Sequence, residues 1–404
     1  MSNDRFTEYD VPLIKVLTCM MFFMFAMTTD AVGSIIPSLI EEFSLSLSAA
    51  SAFHYMPMIA IAAGGLGLGF LADRIGRKGA IVLGLLLYGS GSLLFITGNG
   101  FGFFLALLGV SGIGISVFKV GALALVGEVT RSSGEHTRFM NMIEGCFAVG
   151  AIVGPAIVTT LLAGGITWKY LYAGAAVICA LLIISALWVR YPDLPRAAAT
   201  PVSLADTVAM MRDPYALGFS SLIALYVAVE VAIYVWMPTF LEGYEGSWPW
   251  LASYALTIFF VLRAFGRFLG AWLLQRLPWD TVLAVLSFAI LLCFAGTLTG
   301  GRALGVWLLP LSGLFMSVIY PTLNSKGISC FDRDEHGVIA GVILFFTAAA
   351  AALGPLAMAA ISDLGGNIRY GFTLATAFAL LLCAGLLWNR IASPARVRLL
   401  ENTR

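Results

Sequence analysis

Charge is what this chain has least of. Of its 404 residues, 11% are Asp, Glu, Lys or Arg and 60% are hydrophobic, with a mean hydropathy of +0.94. That balance excludes an ordinary soluble domain. Histidine is scarce as well, at His54, His136 and His336. The chain has no H-E-x-x-H and no G-x-S-x-G opening a helix, so two common hydrolytic chemistries lack their residues. The run Gly64-Gly65-x-Gly67-x-Gly69 is followed by no Lys-Ser/Thr pair, which excludes a phosphate loop and a built-in ATPase. The six cysteines (Cys19, Cys146, Cys179, Cys293, Cys330, Cys383) show no paired spacing and read as small apolar side chains. No Asn-x-Ser/Thr sequon is present, which favours a prokaryotic membrane. The expectation is therefore no enzyme, no cofactor, no metal and no nucleic-acid partner.

What the chain has in abundance is apolar length. Twelve runs, near 13–39, 50–72, 79–98, 101–126, 139–163, 170–190, 215–241, 249–274, 280–299, 303–324, 338–362 and 370–389, reach about 20–25 residues, enough for a helix to cross some 30 Å of hydrocarbon. They lack the period-two alternation of barrel strands. The first follows the acidic residues Asp4, Glu8 and Asp10 and is too long for a signal core, so it reads as a span.

The basic residues are unevenly shared. Arg74, Arg77, Lys78, Arg131, Arg138, Arg190, Arg196, Arg212, Arg276, Lys326 and Arg333 fall in connections on one side. Arg5, Lys15, Arg390, Arg396, Arg398 and Arg404 lie at the two ends, and the opposite connections hold only Lys169, Arg302 and Arg369. The positive-inside bias predicts that both termini are cytoplasmic.

The chain also repeats itself at an offset of about 201 residues. Pro37-Ser38-Leu39-Ile40-Glu41 answers Pro238-Thr239-Phe240-Leu241-Glu242, and Ser111-Gly112 with Ser116-Val117-Phe118 answers Ser312-Gly313 with Ser317-Val318-Ile319. Gly154-Pro155 and Gly164-Gly165 recur as Gly354-Pro355 and Gly365-Gly366, and Trp188-Val189-Arg190 recurs as Trp388-Asn389-Arg390. Duplicated halves in a chain this apolar imply a transporter, because a repeat interface can hold a central site. The prolines Pro192, Pro195, Pro201 and Pro214 mark the connection between halves. The expected organisation is a first six-helix half over 1–192, a cytoplasmic linker over 193–214 and a second six-helix half over 215–404.

Between the second and third runs stands Gly69-Phe70-Leu71-Ala72-Asp73-Arg74-Ile75-Gly76-Arg77-Lys78. It resembles the signature loop of the major facilitator superfamily, G-x-L-a-D-R-x-G-R-[RK]. That resemblance implies twelve transmembrane helices in two pseudo-symmetric six-helix halves, an all-α fold around a central cavity. It also implies a conformational latch at Asp73, Arg74, Gly76 and Arg77. In the second half Gly266-x-x-x-Gly270 aligns with Gly65-x-x-x-Gly69, but Leu274 takes the aspartate's place, so only the first loop carries the charge pair.

A narrower likeness lies in Leu225-Tyr226-Val227-Ala228-Val229-Glu230-Val231, then Trp236 and Thr239-Phe240-Leu241. Gly266-Arg267-x-x-Gly270 and Tyr320-Pro321-Thr322-Leu323 support it. Together these are similar to the fucose:proton symporter family. The resemblance implies a proton-driven uptake of a small polar solute, such as a sugar, sugar acid or organic acid. Two departures point away from a neutral hexose: Glu144 stands where that family has a neutral side chain, and Lys119 lies near the place of its missing fourth-span glutamate. Proton-driven efflux of drugs or metabolites is the alternative. Against it, Leu108 replaces the exporters' arginine and Val158-Thr159 replaces their Gly-Gly pair. A lipid transporter is a third option.

Ionisable groups inside spans cost several kcal/mol unless paired or solvated, so each is a functional candidate. Asp30 and Glu230 occupy repeat-related positions, seven and eight residues before Pro37 and Pro238. Desolvation disfavours a carboxylate's charge, which suits such groups to carry a proton. Asp30, Glu230 and Glu144 are the expected proton-coupling residues. Lys119, Glu144, Arg263, Tyr226, Trp236 and Tyr320 are the expected substrate contacts, with a Lys119–Glu144 ion pair and an acid partner for Arg263 as the structural alternatives. His54 reads as a satisfied polar residue or a proton relay. The expected partners are a small-molecule substrate, protons and the bilayer of a bacterial cytoplasmic membrane, around a monomer.

Overall fold

Lipid offers no partner for a backbone N–H or C=O, so an apolar span must satisfy both internally, as a helix does. The computed structural model describes residues 10–130, 133–192, 209–332 and 335–394, with side chains outside the description at 65–73, 124, 127, 133–134, 137 and 337. The side chain of Asp73, all of Arg131, Arg196 and Arg333, linker residues 193–208 and the terminal residues Arg5, Arg396, Arg398 and Arg404 lie outside it. Among the described residues every regular element is helical. Ten stretches are long and apolar enough to span a membrane, and the one over Trp279–Ser329 has 51 residues.

The described residues group into two compact units, one of 10–44 and 52–192, the other of 45–51 and 209–394. The first holds α1 (Val11–Thr29), α2 (Val32–Phe43), α4 (Ala52–Leu94), α5 (Phe101–Val129), α6 (Ser133–Ala163) and α7 (Lys169–Trp188). The short α3 (Leu47–Ala50) groups with the second unit, where both carboxylate oxygens of Asp363 accept from the Leu47 and Ser48 N–H groups at 2.9 and 2.8 Å. That unit continues with α8 (Pro214–Leu241), α9 (Pro249–Ser253), α10 (Ala255–Arg276), α11 (Trp279–Met316), α12 (Ile319–Ser329), α13 (His336–Gly365) and α14 (Arg369–Ala392).

Two of these helices are each two passes. α4 turns at Gly76 (φ 79°, ψ 164°) and α11 at Gly301 (φ 59°, ψ −146°). Both glycines occupy positive-φ backbone that a Cβ excludes. With α1 and α2 as one interrupted span, and α12 as the end of the tenth, the described residues make twelve passes.

The halves repeat in their contacts as well as their letters. α1 packs on α6 as α8 packs on α13, and α4 on α7 as α11 on α14. In the first unit the backbones nearly touch: a Cβ on Gly154 would lie 1.9 Å from the Met27 carbonyl oxygen. Small residues are what permit such helix approach in lipid. The three basic residues on the opposite side hold backbone carbonyls. Lys169 Nζ donates to the Gly98 carbonyl and Asn99 Oδ1, both at 3.1 Å; Arg369, 200 residues on, donates to the Leu298 carbonyl; Arg302 Nε donates to the Phe240 carbonyl at 3.0 Å. Arg369 and Arg302 meet carbonyls near a helix end or break, and Lys169 ties down the loop that follows α4.

Three spans expected as single helices are broken. The first yields at Asp30 and Ala31, whose ψ angles are −7° and −9°. The eighth is split at Tyr254 between α9 and α10. The tenth breaks at Ser317–Val318, four residues before Pro321, which has no N–H for the Ser317 carbonyl and crowds it.

Candidate functional site

The break in the first span places Asp30 at the C-terminal end of α1, its N–H donating to the Ala26 carbonyl at 3.0 Å. One residue earlier than the break's edge, Thr28 is buried and its hydroxyl hydrogen-bonds that of Tyr88 on α4. Lys119 on α5 and Glu144 on α6 complete the group. The Lys119 ammonium is within electrostatic reach of both carboxylates. Asp30 and Lys119 are half-buried, and Glu144 is exposed. The structure therefore brings together the three first-half groups picked from sequence, with Asp30 added to the expected Lys119–Glu144 pair.

His54 is 1% exposed and lines a small cavity with Thr28, Thr29, Tyr88, Ser111 and Tyr172. This cavity adjoins the broken span.

In the second half Glu230 lies in mid-α8, 8% exposed, and its Oε1 takes Nη2 of Arg263 from α10 at 2.5 Å. Arg263 stays more accessible, its side chain 26% exposed against 10% for Glu230. The Tyr226 hydroxyl, one turn before Glu230, is 3.0 Å from the same Oε1 and 2.9 Å from the Met316 carbonyl oxygen. Arg263 thus has the acid partner that was the structural alternative, and that partner is the expected proton carrier. Tyr320 is half-buried, with its ring centroid 6.3 Å from that of Tyr226.

Two expected substrate contacts are buried. Trp236 is 1% exposed and donates its indole N–H to the Pro355 carbonyl at 3.1 Å, so its ring belongs to the contact of α8 with α13. Tyr226 is 1% exposed, and its hydroxyl hydrogen-bonds Glu230 and the Met316 carbonyl. Sequence reasoning missed the Met316 carbonyl, because nothing in the letters marks a backbone oxygen at a helix break except Pro321 beyond it.

At the signature loop Arg77 Nε pairs with Glu128 Oε1 of α5 at 2.9 Å. Lys78 Nζ donates to the Leu187 and Val189 carbonyls at 2.8 and 3.0 Å, capping α7. Arg74 is exposed. Glu128 was also missed, though an acid ending the span after a basic loop is a signal for it. Among the described residues no group of His, Cys, Asp or Glu could hold a metal ion.

A helical membrane protein made of two like halves, with ionisable side chains in mid-span and no ATPase motif, is a secondary transporter of small solutes. Comparison with known proteins narrows that class. The Major Facilitator Superfamily model matches residues 18–355, and the chain belongs to that family. It is similar to the L-fucose-proton symporter of Escherichia coli (strain K12), with 23% identity and coverage of 89% of each chain. It is also similar to a glucose/galactose transporter of Brucella abortus, at 24% identity over 85% of this chain and 86% of that one. Among solved structures, a bacterial homologue of the human lysosomal transporter Spinster shares the fold at a TM-score of 0.73. The identity there is 16%, with 99% of each chain covered.

Proposed function

We propose that this chain is a proton-coupled symporter that takes up a small polar solute, a sugar, sugar acid or organic acid, by alternating access. It works as a monomer in the bacterial cytoplasmic membrane with both termini cytoplasmic. The observation that carries this reading is Asp30, an acid at the break of the first span in the field of Lys119, with Glu144 close enough to act on the same ammonium. A carboxyl group at a helix break has mobile backbone beside it, so loss or gain of its proton can act on the span's geometry. A proton or an anionic solute would compete with these interactions between Lys119 and the carboxylates. The similarity to a proton symporter for L-fucose supports the coupling ion, and two sugar-transporting relatives support the solute class.

The test separates exchange from accumulation in liposomes. Asp30→Asn fixes a neutral, protonated-like side chain, so substrate binding and solute exchange should persist while accumulation driven by a pH gradient fails. Gradient-driven accumulation at the wild-type rate would remove Asp30 as the carrier. Accumulation on the opposite side of the membrane would turn the reading to efflux.

A further inference from the structure

The Glu230–Arg263 pair is a charge pair with only one member in reach. Glu230 is 8% exposed, whereas the Arg263 side chain stays 26% exposed with its Nε buried. Arg267, one turn further along α10, is exposed and also acts electrostatically on Tyr226. From α12 the facing ionisable group is Tyr320, and from α11 it is the Met316 carbonyl rather than a side chain. α13 presents Gly354 and the Pro355 carbonyl to α8, and α14 presents Gly385. Among these described residues the site brings two guanidinium groups and one carboxylate together.

Tyr226 supplies a place for a proton. Its hydroxyl has one hydrogen but two acceptors within 3.0 Å, Glu230 Oε1 and the Met316 carbonyl. While Glu230 is ionised, that hydrogen serves one of them. Once Glu230 is protonated, its O–H donates to the tyrosine oxygen and the tyrosine O–H donates to Met316, so both contacts carry a hydrogen. The Met316 carbonyl needs such a donor because α11 ends there. Protonation also removes the negative charge that Arg263 faces, and leaves two cations suited to an outside carboxylate.

The geometry points to an exchange site: a carboxylate of the transported solute replaces Glu230 at Arg263, and Glu230 takes up one proton as it is displaced. Written with charges, Glu230–COO⁻, Arg263⁺, a solvent proton and R–COO⁻ become Glu230–COOH and an Arg263⁺·⁻OOC–R pair. The net charge of reactants and products is the same, so binding is electroneutral, with one proton for each monoanion. This names the substrate class within the symport reading, on which it rests: sugar acids or similar monocarboxylates rather than neutral sugars.

The experiment uses full-length protein purified in detergent and two matched probe pairs, D-galacturonate against D-galactose and D-glucuronate against D-glucose. Calorimetry in two buffers of different ionisation enthalpy counts protons taken up per molecule bound. The expected result is that a sugar acid binds more tightly than its neutral partner, with one proton taken up. Its affinity should fall about tenfold per pH unit as the pH rises. Arg263→Gln should weaken sugar-acid binding about 30-fold or more. Glu230→Gln should bind with no proton uptake and no pH dependence, whereas Asp30→Asn should keep the proton linked to binding, because the proton on Asp30 is a separate one whose release resets the empty protein. If Glu230→Gln alone misfolds, the wild-type measurement still decides. The proposal is overturned if no sugar acid binds better than its neutral partner, if it binds without a proton, or if Glu230→Gln keeps the wild-type uptake. Proton-linked binding without gradient-driven accumulation would refute symport and leave this site standing. Accumulation of galactose alone would do the reverse.

Discussion

Gly154→Ala and Gly145→Ala make the same change on the same helix and should have opposite signs. At Gly154 the added Cβ would lie 1.9 Å from the Met27 carbonyl oxygen and 2.7 Å from its carbon. An ordinary carbon–oxygen contact needs about 3.3 Å, so α6 and α1 must part by more than an ångström or one must bend. Neither atom belongs to a side chain that could turn away, and overpacking of this kind costs about 3 kcal/mol. In a unit of this size that lowers the melting temperature by about 6–12 °C. At Gly145 the Cβ would meet nothing within 4 Å. There the helix gains alanine's propensity, worth up to about 1 kcal/mol, or a rise of about 2–4 °C. Thermal unfolding of the two purified variants by intrinsic fluorescence measures both. Melting points shifted equally, or a Gly154→Ala protein as stable as wild type, would refute the close approach of α1 and α6. Because Met27 lies three residues before Asp30, the parting should also reduce proton-driven uptake in the Gly154 variant.

Four other outcomes follow from the same geometry. A cysteine placed in the loop from Gly243 to Ser247 should be labelled from outside intact cells and one beside Arg131 should not; the reverse pattern would overturn the orientation. Asp73→Asn should leave folding and substrate binding intact but slow the transport cycle, and an unchanged rate in liposomes would reduce the loop to a topology signal. Glu230→Gln and Arg263→Gln should each cost about 2–3 kcal/mol by leaving one partner of a mostly buried pair alone. The double variant should recover much of that loss in thermal unfolding, and strictly additive losses would deny the pair. Replacing Lys169 by Gln should lower stability by about 1 kcal/mol through loss of its bond to the Gly98 carbonyl, an effect absent if that contact does not form in the membrane.

Number and length of spans, duplication, the signature loop and the mid-span charges were all legible in the letters, because lipid imposes one rule along the whole chain. A run must be apolar and long enough, its backbone must be helical, and any ion within it stands out. The repeat was legible for a related reason: Gly154-Pro155 and Gly354-Pro355 mark equivalent helix crossings, and packing tolerates few other residues there. Partner choice was not legible. Arg263 had an acid partner or a substrate as equal readings, and only the approach of α10 to α8 sets it at 2.5 Å from Glu230. The burial of Trp236 against Pro355 and of Tyr226 against Met316 was equally unmarked. The breaks at Asp30 and at Ser317 were likewise unmarked by hydropathy, since a run can stay apolar while its hydrogen-bond ladder fails. Hydropathy is a sum along one strand of sequence, whereas an ion pair, a buried ring and a cap each depend on which distant segment the fold brings alongside. That is the physical reason the sequence determined the class of this protein and its tertiary structure decided the wiring of its charges.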